Sequence, residues 1–196
     1  MLLIALALPV AAHAQAVHNV YATPDWNREC RALGTDVPPE EAGMGGRLIC
    51  PGPGEMRVML SDGDARMPMD YGHTPRFGPW ESFGGFSTVQ DTVAWRRQPL
   101  SGRMRPFATI HRWFVGPGRG TREVLVIGSV ATDAGNENCM VGYIDTTRTP
   151  EANRLARAVA HRYLFHKGLR PVIHASSDAR DIFLDGLDDG HTTQNC

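Results

Sequence analysis

No stretch of this chain reaches the roughly 20 consecutive apolar residues that a membrane-crossing helix needs. The clearest apolar run, residues 1–8, ends at Pro9. An excess of charge of one sign is also lacking: 20 Lys and Arg stand against 21 Asp and Glu, a net charge of -1. That balance excludes a polybasic nucleic-acid binder. Cysteine is sparse, with four in 196 residues and none in the C-x-x-C spacing of a zinc or dithiol redox site. Gly116 to Gly120 lacks the Lys-Ser/Thr of a phosphate loop, and no Rossmann fingerprint occurs. Gly128-Ser129 lacks the second glycine of a nucleophile elbow. Glycine and proline, by contrast, are abundant. The 21 Gly and 14 Pro make up about 18% of the chain, against an average of roughly 12%. Many turns are expected.

Residues 1–16 have the anatomy of a cleaved secretory signal. The apolar run, the break at Pro9 and the small-x-small patterns Ala12-His13-Ala14 and Ala14-Gln15-Ala16 all fit, although no Lys or Arg precedes the run. The expected location is the periplasm or the cell exterior, with no membrane span left after cleavage. Thiols in such compartments tend to pair. Cys30, Cys50, Cys139 and Cys196 allow three connectivities, and sequential pairing is favoured because each pair flanks a compact stretch. On this reading Cys139 is structural rather than a nucleophile. The predicted organisation is a signal at 1–16, one domain at 17–168 and a polar, acidic tail at 169–196.

Strands dominate the middle of the domain. Residues 55–61 alternate Met56, Val58 and Leu60 against Arg57, Met59 and Ser61, the period of a half-buried strand. Asp62-Gly63 then supplies a tight-turn dipeptide, and residues 64–71 return. Pro68 has no N–H to give a ladder, which places the return strand at a sheet edge or turns that position outward. Further strands are expected at 92–96 and 106–115. The run Glu123-Val-Leu-Val-Ile127 reads as a central strand buried on both faces, with 139–144 beside it. Thr149, Pro150 and Glu151 announce a helix by cap, first-turn proline and carboxylate. Its apolar positions Ala152, Leu155, Ala156, Val159 and Tyr163 recur at helical spacing, and Gly168 is a natural stop. The fold class is α+β: a largely antiparallel sheet of about five or six strands, with one C-terminal amphipathic helix on one face.

Several of these segments, taken in order, resemble a family of small exported proteins of alphaproteobacteria that has no known activity. The matching elements are Cys50-Pro-Gly before a strand, Ser61-Asp-Gly-Asp-Ala-Arg66, Asp91-Thr-Val-Ala-Trp-Arg96 and Arg105-Pro-Phe-Ala-Thr-Ile110. Cys139-Met-Val-Gly-Tyr-Ile-Asp145 with Pro150-Glu-Ala-Asn-Arg-Leu-Ala156 completes them. The resemblance covers roughly residues 30–165 and implies an exported single domain. The chain departs from the pattern after the helix: Phe165-His166-Lys167-Gly168 contains no cysteine, and the last one is Cys196.

Chemistry-bearing residues are present without a motif that gathers them. Arg96, Arg97, Arg103, Arg105, Arg112, Arg119 and Arg122 make a basic middle, and five aspartates from Asp178 to Asp189 make an acidic end. Guanidinium forks suit phosphates and carboxylates, so an anionic glycan or lipid of the envelope is an expected partner, beside an envelope protein. Interleaving with core positions argues that most of these charges are solvated strand faces. Metal binding is not expected: His161 and His166 lie five apart on the helix, and Asp185, Asp188 and Asp189 miss the calcium-loop spacing. No cofactor is expected. The expected function is a non-catalytic binding or envelope-interaction module, with Arg105, His111 and Trp80 as its binding residues. The alternative is a small envelope hydrolase near the Trp80 aromatic loop, drawing on His73, His111 and Asp91.

Overall fold

The computed structural model describes residues 17–33, 46–61, 67–73, 83, 85–116, 120–130, 138–165 and 172–174. Alternation along its long strands divides the apolar side chains between two cores. In β8 (Arg122–Ser129), Val124 and Val126 face one core while Leu125 and Ile127 face the other, and all four are 3% exposed or less. Four apolar side chains buried this fully contribute about 1.5–3 kcal/mol each. As its β-branched run predicts, β8 is central. It pairs antiparallel with β7 (Arg103–Val115) on one side and β9 (Met140–Asp145) on the other.

The large sheet is completed by β6 (Ser87–Leu100) beside β7 and by β1 (His18–Ala22) at that edge. β10 (Val172–His174) joins β9 in parallel at the opposite edge. A second, wholly antiparallel sheet runs in the order β2 (Arg31–Leu33), β3 (Arg47–Pro51), β4 (Arg57–Ser61) and β5 (Met69–Gly72). Val58, Leu60, Met69 and Tyr71 from the small sheet pack against Val93, Trp95 and Trp113 from the large one. On the large sheet's other face, Ile127, Val141 and Ile144 meet Ala156, Val159 and Ala160 of α1 (Ala152–Phe165). The layers are thus small sheet, large sheet, helix. The alanines let α1 lie close to the strands.

The class is α+β, mostly antiparallel, with its single described helix packed on one face. The sheet that carries the helix has six strands, as expected, and a second sheet of four brings the described strands to ten. The strands not expected are mainly β2 and β10, at three residues each too short for alternation to show, and β1 and β3, whose five residues do not alternate apolar with polar. β10 also lies within the stretch read as a polar tail, where its backbone pairs with β9. The return strand sits at a sheet edge, one of the two placements open to Pro68: β5 is the last strand of its sheet, and the Pro68 carbonyl accepts from the Ser61 N–H at 3.1 Å. The Asp62-Gly63 turn lies outside the described residues.

The helix start differs from the predicted cap. Glu151 adopts a φ of 58° and its carbonyl accepts from the Leu155 N–H at 3.1 Å, so Glu151 rather than Thr149 is the last residue before the helical turns. Thr149 Oγ1 instead lies 3.2 Å from His174 Nδ1, because the return of β10 brings a better placed partner. Cys30 and Cys50 are bridged, tying the residue before β2 to β3. Cys139 is also disulfide-bonded, and Cys196 lies outside the described residues.

Candidate functional site

One irregularity in the β6–β7 ladder shapes the site. Val89 pairs with Trp113 and Val93 with His111, so Gln90, Asp91 and Thr92 together oppose Arg112. Such a bulge leaves backbone groups without ladder partners and re-aims the side chains it carries. His111 takes up one of those groups: its Nε2 lies 2.5 Å from the Gln90 carbonyl oxygen, and its Nδ1 lies 2.7 Å from the Tyr71 hydroxyl. A carbonyl only accepts, so Nε2 carries the proton, Nδ1 accepts, and the Tyr71 O–H donates. The ring is 1% exposed. Burial pushes its pKa down to about 4, and the Gln90 carbonyl and the Asp91 charge offset that only in part. The imidazole is therefore neutral at physiological pH. Burial likewise raises the Tyr71 hydroxyl well above its ordinary value; the adjacent Trp113 indole works against that and Asp70 adds to it.

On the opposite face of the sheet the bulge borders an open groove of about 200 Å³. Its cause is the helix's placement. Among the described residues α1 packs over β8 and β9 and reaches β7, and does not extend over β6 and β1 in the same way. Ala94, Ile110 and Leu125 give the groove an apolar floor, and Gln90 and Thr92 come from the bulge. Asn19 and Tyr21 form the β1 wall, while Asn153 and Arg157 come from the first turns of α1. Arg112 also lines it and is ion-paired with Glu123 on the neighbouring strand. Arg96 adjoins: its Nη1 donates to Asn19 Oδ1 at 2.6 Å, and the residue is 8% exposed. Burial, and then the Arg157 charge, lower its pKa below the ordinary arginine value, with Tyr21 opposing. A guanidinium stays charged under such shifts.

Of the residues expected to bind, Arg105 and His111 are not brought together. Arg105 is exposed near the tip of the β6–β7 hairpin, six positions along β7 from His111, or roughly 20 Å at strand rise. His111 is sealed in the inter-sheet core with both nitrogens engaged, and Trp80 lies outside the described residues. Of the hydrolase set, Asp91 lies near enough to His111 for its charge to act on the ring, but Asp91 and His73 each have another partner. His73 is exposed and 3.3 Å from Glu55 Oε2, and Asp91 accepts from the Trp26 indole N–H at 2.7 Å. Among the described residues, no three His, Cys, Asp or Glu side chains are placed to hold a metal ion. Comparison with protein-family models, curated proteins and solved structures returns no match for this chain. Function must be argued from geometry.

The basic middle divides into separate environments. Arg112 and Arg122 are paired with Glu123 and Asp145, the latter at 3.1 Å, while Arg103 and Arg105 are exposed at the hairpin end and Arg96 is inside. Sequence reasoning reached Arg96 and Arg112 as members of that stretch but missed Asn19, Tyr21, Asn153 and Arg157. The available signal was parity: Ala94 and Arg96 share a strand face, and Asn153 and Arg157 share a helix face at i,i+4.

Proposed function

We propose that this chain is an exported, disulfide-stabilised, non-catalytic binding module of the cell envelope, whose partner is an envelope protein or an anionic glycan or lipid. The observation that carries the reading is the chemistry of the groove. Amides, a hydroxyl, a phenol and guanidiniums surround an apolar floor, and among the described residues that line it there is no His, Cys, Asp, Glu or Lys. General acid–base or nucleophilic work draws mainly on those missing types, whereas recognition needs only an apolar base with a few placed polar groups. The Cys30–Cys50 bridge supports the export reading, since structural disulfides persist in oxidising compartments. No helix among the described residues is long and apolar enough to cross a membrane. The test has two parts. The full chain, expressed in a bacterium with a periplasm, should appear there shortened by the signal, and the mature protein should co-sediment with purified envelope without releasing soluble fragments from it. Retention in the cytoplasm, absence of sedimentation or release of fragments would each refute it.

A further inference from the structure

Two arginines line the groove: Arg112 is paired with Glu123, while no described carboxylate neutralises Arg157. Arg157 is exposed and makes no ion pair among the described residues, and its charge bears on Arg96, whose buried Nε has no hydrogen-bond partner. The side chain holding Arg96 is Asn19, a neutral amide. Like charges brought together in a partly dry setting are stable only where something else compensates them, and a guanidinium fork matches the oxygens of a carboxylate or phosphate.

The remaining lining selects what carries that anion. Gln90 and Asn153 each present a donor and an acceptor, as ring hydroxyls require. Tyr21, 65% exposed on the β1 wall, offers an aromatic face with a polar tip. A volume of about 200 Å³ is below the roughly 300–1,000 Å³ of pockets that enclose drug-sized ligands, so it fits one ring. A lipid surface fits less well. Besides Tyr21, the exposed large apolar residues among the described ones are Phe86, just before β6, and Leu100, at its end, about 45 Å apart at strand rise, so the two together do not rim the groove.

Resting on the binding-module reading, we propose that the groove between β1, the β6 bulge and the first turns of α1 binds a single anionic sugar unit. Its carboxylate or phosphate sits at Arg157 on the Asn19–Arg96 side, and its ring lies against Tyr21 and the amides.

Calorimetric titration of the mature protein with glucuronic acid, glucose 6-phosphate, glucose and inorganic phosphate tests this. At least one anionic sugar should bind at least tenfold more tightly than glucose and than inorganic phosphate; the better of the two separates carboxylate from phosphate recognition. Arg157→Glu and, independently, Asn153→Asp should each weaken that binding at least tenfold. Both positions are exposed, so the thermal midpoint should stay unchanged, and Arg57→Glu on the small sheet should bind as the parent does. Equal binding of glucose, equal binding of phosphate alone, or an unaffected Arg157→Glu variant would overturn the proposal. Binding to phosphatidylglycerol vesicles without binding to either sugar would overturn it in favour of a lipid surface. Undiminished envelope retention by Arg157→Glu would refute this site while leaving the binding-module reading standing, and a parent protein that never sediments would refute that reading itself.

Discussion

His111 takes up a proton in the unfolded chain near the ordinary value of 6.5, but in the folded chain only near about 4, because burial disfavours the imidazolium. The unfolded state therefore protonates first as the pH falls. Stability present at neutral pH is lost progressively below the unfolded value, and the loss is complete once the pH passes below the folded one. Linkage over that interval gives a loss of about 2 kcal/mol between about pH 7 and about pH 5, and about 3 kcal/mol in full. Against a total stability of about 5–15 kcal/mol, one buried ring would be a large share of the acid sensitivity.

Urea unfolding at several pH values, on the parent and on His111→Gln, isolates the effect. Gln keeps a donor for the Gln90 carbonyl and an acceptor for the Tyr71 hydroxyl but does not titrate. The variant should be less stable at neutral pH by about 1–3 kcal/mol, since its side chain fills the site less well. Its stability should nevertheless fall less steeply with acid, and carboxylates and other histidines common to both proteins cancel in the comparison. An NMR titration reads the ring directly. An imidazole titrating near its ordinary value in the folded protein, or parallel pH profiles for the two proteins, would refute the reasoning.

A methyl group at Gly128 would sit 2.9 Å from Thr109 Oγ1 and 3.3 Å from Asn138 Oδ1. Gly128→Ala should therefore cost about 1–3 kcal/mol by chemical denaturation, and Thr109→Ala in the same chain should recover part of it. Ser101 and Gly102, at φ 50° and 76°, form the two-residue loop between Leu100 and Arg103. Both signs match a type I′ turn, so Ser101→Asn should raise stability by about 0.5 kcal/mol and the melting temperature by a degree or more. Cys30 and Cys50 lie 20 positions apart, so replacing both with serine should cost roughly 3 kcal/mol on the loop-entropy model. Alkylation of the unreduced protein should meanwhile find no reactive thiol.

The elements read most securely from the sequence are those whose side chains see one environment along their length. β8 has apolar neighbours on both faces and so reads as an unbroken β-branched run, while α1 has a single buried stripe at helical spacing. The small sheet was harder. Only β4 and the return onto β5 alternate long enough to register, whereas β2 is a three-residue strand held by its pairing with β3 and by the disulfide beside it. The helix cap went astray for a related reason. Thr149 and Glu151 both suit a helix start in isolation, and in the fold the Thr149 hydroxyl lies beside His174 of β10 rather than over the first helical turn.

The site was less legible than the fold because its defining event is a mismatch between strands, not a motif in either one. Nothing in Val89-Gln-Asp-Thr-Val93 announces that three residues will oppose one, yet that bulge turns Gln90 and Thr92 toward the groove and leaves a carbonyl for His111. His111 looks like chemistry in a sequence and is a brace in the fold: its proton goes to the backbone that carries the groove's wall. The arginines show the converse. In sequence they form one basic stretch, but pairing across the sheet commits Arg112 to Glu123 and Arg122 to Asp145, whereas Arg96 is held by an amide and the Arg157 charge lowers its pKa. Charge that strand neighbours compensate stabilises the sheet locally. Charge that they leave uncompensated is what a ligand can compensate, and only the three-dimensional register separates the two.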